Sequence, residues 1–230
     1  MKLFRDFFRK RRLSQKLDAP VEFGLSTSWL AIPTEDTEKV IKALESLQFD
    51  HTQIFSKFAQ SNWRTGCDAA YENDDLVFVT PPLHGWTFVV GNLIGNVFCG
   101  ADENDVGWST KYYRDLAKHF DNFYFFATHT FSIFEHHCWA FVKNGEIIRY
   151  FLCRDSELVY NYGEVTAEEI ELSLNEVCYG RENDDNYDWD NPKYLAEEDV
   201  IALSEKYTTP HSHFENEPKS LSLGIVLKHG

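Results

Sequence analysis

The stretch Leu76-Val77-Phe78-Val79-Thr80-Pro81-Pro82-Leu83-His84-Gly85-Trp86-Thr87-Phe88-Val89-Val90-Gly91 decides the fold. Two β-rich apolar runs, Leu76–Thr80 and Trp86–Val90, flank a short Pro-Pro-Leu-His-Gly connection. β-Branched and aromatic runs bounded by Pro and Gly read as strands joined by a turn. Both runs are almost continuously apolar, so both are expected inside a sheet that is covered on its two faces.

Upstream, Phe23–Ile32 suits a first strand, with Trp29, Leu30 and Ile32 supplying bulk. Pro33-Thr34-Glu35 then opens a helix that Thr34 or Asp36 caps, with Val40, Ile41, Leu44 and Leu47 as its apolar stripe. Residues 48–75 read as an irregular or short helical stretch anchored by Ile54, Phe55, Phe58 and Trp63. The glycine-rich, acidic segment Asn92–Ser109 reads as a long exposed loop, followed by a helix that Ser109 or Thr110 caps and that runs to about His119. Phe123–Thr128, Phe131–Phe134, His137–Val142 and Ile147–Cys153 read as strands, and Asn144-Gly145 marks a type I′ hairpin turn. Thr166 with Glu169 forms a capping-box pattern over a helix at 166–177, Leu195–Tyr207 is a second late helix, and Leu221–Leu227 a closing strand.

Up to Thr128 the order is β-α-β-β-α-β. It predicts an α+β fold, a mainly antiparallel sheet with a ferredoxin-like βαββαβ core, extended by a hairpin and C-terminal helices. Residues 1–20 stand apart as a basic amphipathic segment. Residues 21–230 read as one domain, with a core over 23–155 and a helical extension over 156–230.

The formal charge of the 230-residue chain is −15, and it is unevenly distributed. Residues 1–16 hold seven Lys/Arg against one Asp, with Leu3, Phe4, Phe7 and Phe8 at helical spacing. Such a segment docks on the acidic body or lies on an anionic membrane surface. The acidic remainder repels nucleic acid and attracts cationic partners. No apolar run reaches the roughly 18–20 residues of a membrane span. Cys67, Cys99, Cys138, Cys153 and Cys178 are odd in number and widely spaced, and several lie in apolar runs. With no secretory apolar region near the start, they imply a cytoplasmic protein without structural disulfides.

The chemistry-bearing residues are fewer. In one extended strand His129, Phe131, Ile133, Glu135 and His137 share a face. Along a straight strand His129 and His137 stand about 27 Å apart at roughly 3.4 Å per residue, too far for one metal ion. Only a turn within 130–136 brings them together, so hydrogen-bonded structural histidines are expected and no metal site is assigned. His211 and His213 read as a solvated loop. Asp184, Asn186, Asp188 and Asp190 alternate like a calcium loop, but Trp189 and Leu195 stand where that loop needs Gly and Glu. No phosphate-binding loop, nucleophile elbow or H-E-x-x-H motif occurs, and Gly91-Asn-Leu-Ile-Gly95 lacks the three-glycine dinucleotide pattern, so no cofactor is assigned. Of Trp63, Trp86, Trp108 and Trp139, most are expected in the core, with Trp108 the exposed one.

Val77-Phe78-Val79-Thr80-Pro81-Pro82, Gly85-Trp86, Val89-Val90-Gly91, Phe126-Ala127-Thr128-His129 and His137-Cys138-Trp139-Ala140 together resemble a family of uncharacterised bacterial proteins. The resemblance covers about residues 25–155 and assigns no catalytic residues. Small acidic bacterial proteins of this kind are similar to immunity proteins of polymorphic toxin systems. The resemblance and the charge together imply a non-enzymatic binding protein that neutralises a toxin through an acidic surface. The expected contact residues are Asp102, Glu103, Asp105 and Trp108, with Asp184, Asp185 and Asp188. The expected partner is a protein with a basic surface, not nucleic acid. Two alternatives come from other classes: an enzyme whose pocket includes His129 and Glu135, and a peripheral membrane or scaffold protein that uses residues 1–16.

Overall fold

A computed structural model describes residues 13–100, 103–131, 134–155, 157–180, 184, 187–210, 214 and 217–230. The protein is α+β, built on one large antiparallel sheet. Its strands are β1 (Thr27–Ile32), β2 (Gln48–Phe49), β3 (Thr52–Gln53), β4 (Phe55–Ser61), β5 (Leu76–Val79), β6 (Thr87–Val90), β7 (Phe123–Phe131), β8 (Phe134–Lys143), β9 (Glu146–Arg154), β10 (Glu157–Tyr162) and β11 (Gly224–His229). Six α-helices among the described residues accompany them: α1 (Thr37–Glu45), α2 (Trp63–Glu72), α3 (Asn92–Phe98), α4 (Glu103–Ala117), α5 (Ala167–Glu171) and α6 (Glu197–Tyr207). None of them is long and apolar enough to cross a membrane.

Nine strands form an open sheet in the order β10-β9-β8-β7-β1-β6-β5-β11-β4, and β2 and β3 form a separate small hairpin. The quoted stretch lies inside it as β5 and β6, paired Phe78↔Val90 and Val79↔Val89. His84 and Gly85 both take positive φ, 49° and 84°, between the mutually hydrogen-bonded Leu83 and Trp86. That is the type I′ geometry whose twist matches a hairpin. Asn144 and Gly145 do the same between β8 and β9, at φ 52° and 76°.

Alternation along the strands feeds two cores. Leu30, Val79, Val89, Phe125, Ala127, Cys138, Ala140 and Leu152 face α1, α3 and α4. Trp29, Phe78, Phe88, Phe126, Trp139, Phe141 and Phe151 face α2, α6 and the segments around Leu174 and Phe214. The two faces explain why β1, β5 and β6 carry no charged residues. The closing strand, expected near 221–227, is β11, seated between β5 and β4. Edge strand β4 is buried at both ends but exposed at Lys57, Phe58 and Gln60, and Lys57 pairs with Glu38 at 2.8 Å. A charged lysine on an edge discourages pairing with a further strand.

Besides the helix expected at 166–177, which is only α5 followed by a 3-10 turn at Leu174–Glu176 and is preceded by strand β10, three sequence expectations need correction. Asn92–Ser109 is not one long exposed loop: α3 occupies Asn92–Phe98 and α4 begins at Glu103. Leu93, Ile94, Val97 and Phe98 are all buried, a helical stripe that the glycines disguised. Gly95 lies within that helix because a Cβ there would come within 2.4 Å of Ser28 Oγ on β1. Second, the segment after α1 is the β2–β3 hairpin, edge strand β4 and α2; Ile54, Phe55 and Trp63 are buried, but Phe58 is exposed on the edge. Third, Phe131–Phe134 is not a strand of its own: Phe131 ends β7 and Phe134 begins β8, and the two are register partners.

The caps predicted at Asp36 and Thr166 are in place, whereas Ser109 and Thr110, expected to cap a helix, lie inside α4. Asp36 accepts from Lys39 N at 2.9 Å, and Thr166 with Glu169 completes the capping box of α5. The basic segment, residues 1–20, is described only from residue 13. There Asn62 N donates to Ser14 O at 2.7 Å, and Asp18 accepts from Trp63 N and Arg64 N at the start of α2. Its expected amphipathic helix falls on residues 1–12, outside the described residues.

Candidate functional site

The β7–β8 hairpin sets the geometry. It pairs Thr128 with His137, His129 with His136, and Thr130 with Glu135. The chain therefore turns inside 130–136, the one condition under which the histidines converge. The turn also reverses which residues share a face. His129 and His136 lie on the face of α3 and α4, with ring centroids 6.4 Å apart. His137 lies on the opposite face, and Glu135 with it, each an odd number of residues from His136. His129 and Glu135 are thus on opposite sides of the sheet and do not line a common pocket.

On the second face the imidazole is structural. Thr128 Oγ1 lies 2.8 Å from His137 Nδ1, His137 Nε2 lies 3.2 Å from Glu135 Oε1, and Tyr179 OH donates to Glu135 Oε1 at 2.9 Å. Hydroxyl, imidazole and carboxylate follow the order of a catalytic triad, but Thr128 and His137 are fully buried. Burial holds His137 below the ordinary histidine range, against the pull of Glu135. The network ties β7 and β8 to the segment that carries Tyr179.

On the first face a cleft of about 1020 Å³ opens between the β2–β3 hairpin, α3 and the ends of β7, β8 and β9. Phe49 from β2 and Trp108 from α4 stand in it, 52% and 47% exposed, with ring centroids 5.2 Å apart. Asp50, Asp74 and Asp75 also line it, all exposed. Asp74 accepts from Asn92 Nδ2 at 3.2 Å, which fixes it to the start of α3. The exposed part of the cleft is therefore aromatic and acidic.

The buried part has a different chemistry. Cys99 follows α3, its N–H bonded to Gly95 O at 2.9 Å. Tyr113 OH donates to Phe98 O at 2.6 Å, and Gly100 N to Ser109 Oγ at 2.8 Å, so this turn is held from α4 on both sides of the cysteine. Cys99 Sγ lies 2.8 Å from His136 Nε2. Burial alone would raise the Cys99 thiol. A hydrogen bond with Cys138 and the adjacent His136 overcome it and lower the thiol to about 6. Burial likewise opposes charge on His136, but the Cys99 sulfur raises it above the ordinary range. Arg154, the register partner of His136, lines the same part of the cleft. Among the described residues no three His, Cys, Asp or Glu side chains are grouped so as to hold a metal ion.

Among the described residues, the expected contacts Trp108 and Asp188 lie on opposite faces of the sheet. Trp108 is in the cleft. Asp188 belongs to a loop on the other face, where Tyr187 packs against the second core. Asp188 is engaged locally, accepting from Asp190 N and Asn191 Nδ2 at 3.1 Å. Asp184 is in that loop too, its carbonyl bonded to Tyr187 N. Asp102 and Asp185 lie outside the described residues, as do the side chains of Glu103 and Asp105, whose backbone is in the first turns of α4. Sequence reasoning missed Phe49, Asp50, Asp74, Asp75, Cys99 and Arg154 as cleft residues. The one signal for Cys99 was its place at the end of an apolar helical stripe.

Comparisons with protein-family models, with curated proteins and with solved structures give no match to this chain.

Proposed function

We propose that this protein binds a protein partner through the cleft, and that the partner presents a basic segment. The observation that carries this reading is the exposed Phe49–Trp108 pair standing beside Asp50, Asp74 and Asp75 on a chain of net charge −15. Exposed aromatic rings next to carboxylates suit Arg and Lys side chains, whose charge is drawn to both. The long-range field steers the partner in, and the rings supply the desolvated contact. In its most concrete form the protein is a cytoplasmic immunity protein that covers the site of a toxin, as the resemblance of its strand motifs implies. In this reading Asp102, Glu103 and Asp105 are further contacts for the partner, as are Asp184, Asp185 and Asp188. The ferredoxin-like reading of the core belongs here as well. It is supported by the order β7-β1-β6-β5 and by α1 and α4 packing on one face.

The test uses the full chain and a fluorescent Arg/Lys-rich peptide, with an acidic peptide of equal length as control. Binding of the basic peptide is expected to weaken steeply with salt. A triple variant Asp50→Asn, Asp74→Asn, Asp75→Asn is expected to lose roughly tenfold or more in affinity, about 1.4 kcal/mol. Equal binding of the acidic peptide, or an unaffected triple variant, would remove the basis for this function.

A further inference from the structure

Cys99 and His136 meet in the buried part of the cleft, and their placement goes beyond what partner binding requires. The two residues come from elements far apart in sequence, the end of α3 and strand β8, and the sulfur-to-nitrogen distance is 2.8 Å. We propose that Cys99 is a nucleophile with His136 as its proton partner, and that this part of the cleft accepts an activated acyl compound, a thioester or reactive ester, whose acyl group passes to the thiol.

A thiol reacts as its thiolate, and an adjacent imidazolium is the usual device for holding it in that form. Cys99 differs in this from three other buried cysteines: burial pushes the Cys67, Cys138 and Cys153 thiols up, while that of Cys99 comes down. The titratable groups facing the pair are Cys138 on β8, Tyr150 and Arg154 on β9, Asp155 just beyond β9 and 3.8 Å from Arg154, Tyr113 on α4 and His129 on β7. Tyr113 and Tyr150 are raised by burial and stay neutral, and His129 is lowered. Arg154 is the fixed positive charge beside the pair, placed to favour negative charge that develops on an incoming carbonyl.

The step balances without any other reactant. The Cys99 sulfur gives an electron pair to the carbonyl carbon, forming the S–C bond. The bond from that carbon to the leaving sulfur or oxygen breaks, and the leaving group departs with its electron pair. It takes the proton held by His136, giving acyl-Cys99, neutral imidazole and a free thiol or alcohol. In the second half water is the co-reactant: its oxygen forms a bond to the acyl carbon as the C–S bond breaks, His136 accepts the proton water loses, Cys99 regains its thiolate, and the acyl group leaves as a carboxylic acid.

The test needs the unmutated chain and p-nitrophenyl acetate as the acyl donor. The expected result is a burst of about one equivalent of p-nitrophenolate per chain, with the acetyl group mapped to Cys99 by peptide mass spectrometry. Cys99→Ser is expected to abolish the burst, and His136→Gln to slow it by roughly 100-fold. Labelling by iodoacetamide is expected to be half-maximal near pH 6 in the unmutated chain and to move above pH 8 in His136→Gln. Acetyl found on lysines alone, or Cys99 labelled no faster than Cys67 and Cys153 in the unmutated chain, would overturn the proposal; neither depends on a variant folding. The burst is read on the unmutated chain without peptide, and basic-peptide binding on the same chain without acyl donor, so failure here and failure of the binding function are separable.

Discussion

Arg149 and Glu169 face each other inside the protein, the Arg149 Nε 3.0 Å from both carboxylate oxygens of Glu169, with 3% and 2% of their side chains exposed. Neither charge is left over. Trp139 Nε1 and Thr166 N also donate to Glu169, and Arg149 Nη1 donates to Asn161 Oδ1 and Tyr162 O. The pair bolts α5 to β8, β9 and β10. Glu169→Ala leaves a buried guanidinium without its carboxylate, and is expected to destabilise the fold by about 3–5 kcal/mol. Replacing both by apolar residues, Arg149→Met with Glu169→Leu, should cost much less. Chemical denaturation of the three proteins decides it, and equal losses for single and double variants would refute the pairing argument.

A second expectation concerns how closely α3 sits on β1. Gly95→Ala places a methyl group within 2.4 Å of Ser28 Oγ. The overpacking should cost about 1–3 kcal/mol. Ser28→Ala in the same chain should return part of that loss, which a double-mutant cycle by thermal or urea unfolding will show as a coupling of about 0.5 kcal/mol or more. Additive effects would mean that the two residues are not in contact.

His137 gives the protein a signed response to acid. Its ring is held below the ordinary histidine range chiefly by burial. Between about pH 6.5, the value of a free imidazole, and its lowered folded value, the unfolded chain binds a proton that the folded chain does not. Stability therefore falls as the pH falls through this window. His137→Gln should flatten that part of the stability–pH curve relative to the unmutated chain, measured by urea midpoints from pH 7.5 to 5. An unchanged slope would show that this ring does not contribute.

Phe49 and Trp108 should separate binding from folding. Both are about half exposed and touch each other. Trp108→Ala is expected to change stability by no more than about 0.5 kcal/mol, the usual range for surface positions. It is expected to weaken binding of the basic peptide severalfold, in line with the loss of a cation–π contact worth about 0.5–1 kcal/mol. Unfolding curves and fluorescence titration on the same preparation check both halves.

Asp18 reaches across the chain to the start of α2, where it accepts from Trp63 N and Arg64 N at 2.9 and 3.1 Å. Asp18→Ala should cost about 1 kcal/mol by removing that capping. Asp18→Asn should cost less, because its amide oxygen keeps one acceptor in place. Urea midpoints of the two variants test the order.

Strands β5 and β6 were legible because their run of Val and Phe is long, unbroken and flanked by turn residues. The caps at Asp36 and Thr166 were legible because capping is local chemistry. Helix α3 was not, because Gly91 and Gly95 look like loop residues. Gly91 is required for its φ of 139°, and Gly95 for the contact with Ser28, which only the folded chain creates. The pairing of His129 with His136 was hidden by a one-residue matter, the position of the β7–β8 turn. Alternation makes such a shift exchange every partner on both faces. The cleft was illegible for another reason: Phe49, Asp74, Cys99, Trp108, His136 and Arg154 lie in separate segments, and no spacing rule connects them.

Strand β11 is held on one side by β5 and on the other by β4. During synthesis, β4 and β5 emerge from the ribosome well before the strand that joins them. For all that time β5 presents unpaired amides and carbonyls on one side, and β4 has nothing to lie against in the main sheet. The assembly is therefore a late event of high contact order. The nascent chain should be most prone to aggregation, and most in need of a holding chaperone, in the interval just before residues 224–229 are free to insert.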